Sequence, residues 1–305
     1  MTWTAAAALG VLLAGAPALP GIATRTRSFL TGRRGPPALQ LYFELAKLLR
    51  KRAVYSDTTG WLFRTGPLVG VVSALLAALL VPLDGRSAIA GFDGDFMLFA
   101  GSLALGRFGL ILAALDTGSS FEGMGASRES AIGAFAEAGL LLALVVLVLA
   151  TGETTLAGML GGPLAAAWSP SLPSLAMTGA SLFVLLVAES SRGPVDDPAT
   201  HLELTMIHEV AVLDHSGPDL ALVLYGASLK FALFAALTAG VLAPRAVLGA
   251  PWAVALLPAA LGAVAVLIGA VEASMARLRL NRVPQLLVTS AALAAFAAIL
   301  LLRRP

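Results

Sequence analysis

Cysteine is absent from all 305 residues. The chain therefore forms no disulfide and offers no thiolate to a zinc site or an iron–sulfur cluster, so any such centre in a working assembly belongs to another polypeptide. Charge is scarce too: only 12% of residues are Asp, Glu, Lys or Arg, and His occurs 3 times. With 58% hydrophobic residues and a mean hydropathy of +0.88, the chain carries more apolar surface than one soluble interior can hide. Lipid is the solvent for most of it. No nucleophile elbow, phosphate loop or dinucleotide fingerprint occurs; Gly101-Ser-Leu-Ala-Leu-Gly106 lies inside an apolar run, where small residues let helices approach closely. The sequence shows no catalytic centre of its own.

Apolar runs near residues 3–22, 66–83, 96–115, 131–150, 172–190, 219–243, 251–273 and 284–302 predict eight membrane-spanning helices. The fold class is all-α and polytopic, and residues 1–305 read as a single membrane domain without a soluble appendage. The first run ends in Ala-Pro-Ala-Leu-Pro, as a cleaved signal would, but it lacks a basic leading segment and arginines follow at once. It is read as a retained helix. Basic residues sort by loop. Arg25, Arg27, Arg33, Arg34, Lys47, Arg50, Lys51, Arg52 and Arg64 fall after the first run, and Arg128, Arg192, Arg277, Arg279 and Arg282 in later loops of the same side. The opposite side holds Arg86, Arg245, Arg303 and Arg304. The positive-inside rule thus places residues 23–65 and 191–218 in the cytoplasm and both termini outside. The pI near 9.3 reports this topology and not nucleic acid, because the basic residues are not interleaved with aromatics. Within the first loop, Leu39, Leu41, Phe43, Leu45, Leu48 and Leu49 alternate with Gln40, Glu44, Lys47 and Arg50, the pattern of an amphipathic helix lying along the interface.

Ionised groups inside a span cost about 2.5–3.5 kcal/mol each even on lenient scales, so each is a functional candidate. Arg107 and Glu137 are expected roughly 10 Å inside the cytoplasmic boundary, where they are placed to pair, and Lys230 about 15 Å inside. Glu189 and Glu272 end their helices on the same side. The predicted arrangement is a polar chamber open to the cytoplasm and sealed outward. It serves either as a proton relay or redox-linked charge switch, or as buried ion pairs that fix helix packing. The long loop Glu189-Ser-Ser-Arg192-Gly-Pro194-Val-Asp196 to Asp219 is the other concentration of charge. His201, His208 and His215 recur there at seven-residue spacing, which suggests a metal face or a subunit-docking face. Helical ligand pairs normally sit four apart, and Ser216-Gly217-Pro218 breaks the helix near the third His. The docking reading is preferred, with no metal bound, on a short helix between Pro198 and Pro218.

Several segments together carry a resemblance: Arg33-Arg34-Gly35-Pro36-Pro37-Ala-Leu-Gln40, Lys47-Leu48-Leu49, Asp116-Thr-Gly-Ser and Gly125-Ala126-Ser127-Arg128-Glu129. The series continues with Glu189, Arg192-Gly-Pro194-Val-Asp196, Pro198-Ala-Thr-His201-Leu-Glu203-Leu-Thr-Met-Ile-His208-Glu209, Ser216-Gly217-Pro218 and Ser274-Met-Ala-Arg277-Leu-Arg279. In these the chain resembles the membrane subunit shared by respiratory complex I, where it is subunit 1, and group 4 membrane-bound nickel–iron hydrogenases. The hydrogenase branch, with hydrogenase-4 component C and formate hydrogenlyase subunit 4, is the nearer. A short segment between Gly35-Pro36 and Gln40, and Val195 where complex I usually has Phe, separate the chain from the quinone-binding branch.

The resemblance implies a non-catalytic anchor and proton- or ion-coupling subunit in a bacterial or archaeal plasma (inner) membrane. Implied partners are a hydrogenase-like large subunit, an iron–sulfur small subunit and antiporter-like membrane subunits. No cofactor is expected in this chain; iron–sulfur clusters and nickel–iron would reside in the partners. Implied coupling residues are Glu137, Arg107, Glu189, Lys230, Glu203, Glu209, Asp196 and Glu272, and implied docking residues are Arg33, Arg34, Gln40, Lys47, Arg128, Arg192, Arg277 and Arg279. The alternative is a quinone-binding subunit of a complex-I-like oxidoreductase, its quinone held between the first-loop segment and helices 1 and 6.

Overall fold

A computed structural model describes residues 3–190, 192–193, 195–196, 207–275, 278 and 280–303. Glu203, Arg277 and Arg279 lie outside the described residues. Among those described, α1 (Trp3–Gly15), α2 (Ala18–Leu30), α3 (Gln40–Leu49), α4 (Trp61–Leu80), α5 (Asp95–Asp116) and α6 (Ser120–Thr151) form the first half. The short α7 (Leu156–Met159), α8 (Gly162–Glu189), α9 (Gly217–Leu242), α10 (Ala250–Ser274) and α11 (Val283–Leu302) complete the chain. Among the described residues seven helices are long and apolar enough to cross a bilayer, or up to eight if the bent pair α1 and α2 is one span. The protein is an all-α polytopic membrane protein.

The predicted first helix is two. Pro17 has no N–H to continue the ladder, and the chain bends by 51° between α1 and α2. The second piece runs on to Leu30, carrying Arg25 and Arg27 toward the basic side. A second bend lies in α8, where Ser171 leaves helical geometry between Pro170 and Pro173. The predicted amphipathic helix is present as α3, resting on α9 and α2 with no residue fully buried. Its Phe43 and Leu49 point outward.

Close helix crossings rest on small residues, because lipid offers no hydrophobic drive and contact must come from packing. A Cβ at Gly66 of α4 would lie 2.6 Å from Ala113 Cβ and 2.8 Å from Gly109 O of α5. Gly106 packs on Ser73, whereas Gly101 meets nothing within 4 Å. Buried polar groups are satisfied between helices: Ser181 and Ser290 bond across α8 and α11 at 2.9 Å, and Trp168 Nε1 donates to Val241 O at 2.9 Å. α9 lies at the centre, 61% of its apolar window being buried, and α11 at the edge with 22%.

Loops on the side opposite the basic face are closed by acids that sequence reading left aside. Asp84 is buried and accepts the amides of Arg86 and Ser87 at 2.9 and 2.8 Å and the Thr4 hydroxyl at 2.8 Å. Burial pushes its carboxyl up, but these donors prevail and hold it below the ordinary range. Asp95 Oδ1 accepts the Leu156 amide at 2.7 Å, supplying an N-terminal cap to α7 from another helix.

On the basic side the helix expected between Pro198 and Pro218 does not form over residues 207–216, which hold one 3-10 turn at Val210–Val212. Side chains take the amides that a helix would use. Asp196 accepts from Ile207 at 3.4 Å and His208 at 2.9 Å, and Glu122 accepts from Asp214 at 2.9 Å. The turn packs on Gly125 of α6, where a Cβ would come within 2.6 Å of Ala211 N.

Candidate functional site: a buried ion cluster beside a chamber

Four helices bring five charges to a common point, two of them from α6. Arg107 of α5 is the hub. Its Nη1 contacts Glu137 Oε1 of α6 at 2.6 Å, its Nη2 contacts Glu189 Oε1 of α8 at 2.6 Å, and its Nε lies 3.4 Å from Glu129 Oε1. Lys230 Nζ of α9 pairs with Glu189 Oε2. Glu129, Gly133 and Glu137 are four residues apart, so they share one face of α6. Gly133 leaves the gap that the guanidinium fills: a Cβ there would lie 2.6 Å from both Arg107 Cδ and Nη1. The Arg107 and Glu189 side chains are 7% and 4% exposed, but Glu137 is 42% exposed. The cluster is thus sealed at its centre and open at one carboxylate.

Depth follows from helix rise. Counted from the far end of each helix, Arg107 and Lys230 lie roughly 18 Å in and Glu137 roughly 21 Å in. Against a hydrocarbon core of about 30 Å, that places the cluster in the half nearer the basic face. Two carboxylates in contact with two cations satisfy the requirement that charge at such depth be paired.

The cluster forms the polar end of a chamber between α4, α5 and α9. Pro67, Gly70, Val71 and Leu103 supply apolar wall, and Arg107, Glu129, Glu189, His208 and Lys230 the charged end. A second, smaller space adjoins it, lined by Asp196, Ile207 and His208 together with Glu129, Glu189 and Lys230. His208 borders both spaces, and its Nε2 is buried without a partner among the described residues. Burial pushes the carboxyls of Asp196 and Glu209 up, with mutual repulsion adding at Glu209. Among the described residues, none from α1, α2 or α3 lines the chamber.

The other expected residues are dispersed. Glu272 accepts from Arg192 Nε at 2.8 Å, and the same guanidinium reaches Pro20 O at 2.8 Å and Thr24 Oγ1 at 2.5 Å, tying the loop to α2 and α10. Arg192 is therefore turned into the chain. Arg33, Arg34 and Lys47 are exposed around α3, and Gln40 bonds Glu44 at 3.0 Å. Arg128 is half-buried, with Nη2 3.1 Å from Met124 Sδ. Sequence reading missed Glu129 and His208 as members of the site. Glu129 was within reach, since it stands two helical turns before Glu137; nothing in the sequence placed His208 at the chamber. Among the described residues no group of His, Asp and Glu is arranged to hold a metal ion.

A profile of the NADH dehydrogenase family matches residues 3–303. The chain belongs to the NADH dehydrogenase family. Within that family it is similar to hydrogenase-4 component C of Escherichia coli K12, at 34% identity over 77% of this chain and 73% of the relative. It is similar also to formate hydrogenlyase subunit 4 of the same organism, at 33% identity over 90% of this chain and 91% of the relative. A subunit of the NADH-quinone oxidoreductase of Paraburkholderia xenovorans is more distant, at 25% identity over 68% of this chain and 60% of that one. The fold is shared with a chain of the membrane-bound sulfane sulfur reductase, an archaeal respiratory membrane complex, with TM-score 0.80, 18% identity, 98% of this chain covered and 100% of that one. The NADH dehydrogenase family chain thus has its similar relatives among subunits of multi-subunit respiratory membrane complexes.

Proposed function

We propose that this chain is the membrane anchor and ion-coupling subunit of a complex-I-like, membrane-bound hydrogenase assembly. The carrying observation is the Glu137–Arg107–Glu189–Lys230 cluster, a charge network with a buried centre. The likeness to hydrogenase-4 component C and formate hydrogenlyase subunit 4 supports the reading. In it the basic face lies in the cytoplasm, both termini lie outside, and the exposed Arg33, Arg34 and Lys47 meet a hydrogenase-like large subunit and an iron–sulfur small subunit. Those partners carry the iron–sulfur clusters and the nickel–iron centre, and antiporter-like subunits lie alongside in the plasma membrane.

The chemistry assigned to this chain is electrostatic. Electron transfer changes the charge near the loop that carries Asp196, His208 and Glu209. Arg107 is held by three carboxylates at once, so a change at one of them redistributes its pairing toward the others. Movement of charge from Glu189 toward Glu137 transmits the event across the bundle.

Extraction of a tagged copy in mild detergent, with mass spectrometry of every co-purifying chain, tests this. Recovery of a large subunit with paired nickel-binding cysteine motifs, an iron–sulfur subunit and antiporter-like subunits is expected. Recovery of NADH-oxidising subunits would instead assign the chamber to a quinone-linked complex, and recovery of the chain alone would end the coupling reading.

A further inference from the structure

Arg245 is a buried cation to which the fold brings no contacting anion. It opens the 3-10 turn Arg245–Val247 between α9 and α10, on the face opposite the basic loops. The residue is 8% exposed, and its Nε and Nη1 are buried without a partner among the described residues. Asp84 is near enough to act on it electrostatically, and a Cβ on the adjoining Gly85 would lie 3.1 Å from Ala246 N. Both Asp84 oxygens are engaged elsewhere, however. Oδ1 accepts the amides of Arg86 and Ser87, and Oδ2 the hydroxyls of Thr4 and Ser87.

A guanidinium withdrawn from water without a contacting anion is costly, and its surroundings add positive potential. The turn packs on α8 and α10. Both helices start on this face, with Gly161 and Gly249 as N-caps that offer no side-chain acceptor to the leading amides. Trp168 Nε1, bonded to Val241 O, holds the first turns of α8 beside the end of α9. Arg86, exposed next to Gly85, is a second cation on the loop that touches the turn. Apolar side chains follow the same stretch of chain: Leu242, Val247 and Trp252 are 44%, 75% and 69% exposed. An exposed indole at a helix start marks the depth of lipid headgroups.

We infer that Arg245 binds the phosphate of an anionic phospholipid in the leaflet on this face, with the acyl chains lying along Leu242, Val247 and Trp252. A planar guanidinium matches phosphate oxygens with paired donors, and helix N-termini favour the same charge. A zwitterionic lipid would carry its own cation into a corner where Arg245 and Arg86 already outnumber Asp84, so net negative charge selects the ligand. The inference does not depend on the proposed coupling role.

The test is native mass spectrometry of the purified protein with its bound partners, stripped of lipid and titrated with phosphatidylglycerol, phosphatidylcholine or inorganic phosphate alone. Phosphatidylglycerol should bind about tenfold more tightly than phosphatidylcholine, and Arg245→Gln should weaken it by about tenfold, as loss of a charged hydrogen-bonding partner would. Arg303→Gln, at an exposed basic residue of the same face, should leave binding unchanged. Equal retention of the two lipids, an unchanged Arg245→Gln variant, or inorganic phosphate that displaces the lipid would each overturn the inference. A photoreactive residue in place of Val247, with Val266 of α10 as the control position, tests it with Arg245 intact. In vesicles holding equal amounts of the two lipids, position 247 should capture phosphatidylglycerol in preference and position 266 should capture both alike. The same adduct ratio at both positions, or capture of a protein at position 247, would overturn it.

Discussion

Glu189→Gln removes the carboxylate that Arg107 and Lys230 share. Arg107 keeps Glu137 at 2.6 Å and Glu129 at 3.4 Å, whereas Lys230 has no other ion-pair partner among the described residues. The cost therefore falls chiefly on a stranded ammonium whose side chain is 20% exposed. Breaking a buried pair by deleting one member costs about 3–5 kcal/mol. Because Arg107 stays paired and Lys230 is partly exposed, about 3 kcal/mol is expected here. Lys230→Met in the same background removes the stranded charge and should recover about 1–2 kcal/mol, a coupling energy within the range for groups in contact. The assay is loss of helical ellipticity as SDS is titrated into mixed micelles, run on the parent, both single variants and the double. Additivity of the two single effects within about 0.5 kcal/mol would refute the shared-carboxylate reasoning.

Other outcomes follow from single contacts. Gly133→Ala drives a methyl into the Arg107 guanidinium and should destabilise by about 1–3 kcal/mol in the same titration; a neutral result would mean that the cluster is loosely held. Asp116 accepts the amides of Gly60 and Phe63 at 2.8 and 2.9 Å, capping α4 from the end of α5, so Asp116→Ala should cost about 0.5–2 kcal/mol. His215 stacks on Phe63 at 4.1 Å with both ring nitrogens unpartnered among the described residues, and burial holds its imidazole below the usual range against the pull of Asp219 and Asp214. On acidification the unfolded chain takes up this proton first, so stability should fall as pH drops below about 6.5. His215→Phe should flatten that limb in thermal denaturation, and an unchanged slope would exclude His215 as its source. Charge reversal at Arg33 and Arg34 should weaken assembly in mild salt, each basic group contributing about 1 kcal/mol at an anionic surface; survival of the complex would refute a docking role there.

How far the sequence spoke depends on what set each feature. Hydropathy places seven spans outright, because a bilayer demands long apolar helices whatever their tertiary contacts. The break after Gly15 was foreshadowed by Pro17 and Pro20, but hydropathy averages across a bend and reads one helix. Arg107 and Glu137 stood out because charge is rare in a span, and their pairing follows from similar depth on adjacent helices. Glu129 hid among loop-like residues because α6 begins at Ser120, well before its apolar run and beyond what a bilayer requires. The loop 207–216 was misjudged as helical for a physical reason. Its amides are claimed by Asp196 and Glu122, distant acceptors that local pattern does not reveal. Asp84 escaped notice in the same way, its donors including Thr4, 80 residues earlier in the chain.

The most direct measurement pairs Glu137→Gln with simultaneous readings of electron transfer and ion uptake, using the whole complex reconstituted in liposomes. The account predicts that electron transfer between the peripheral partners persists while the ion gradient collapses, since the variant leaves the redox partners intact and removes the charge at the open end of the cluster. An unchanged gradient at unchanged turnover would contradict it.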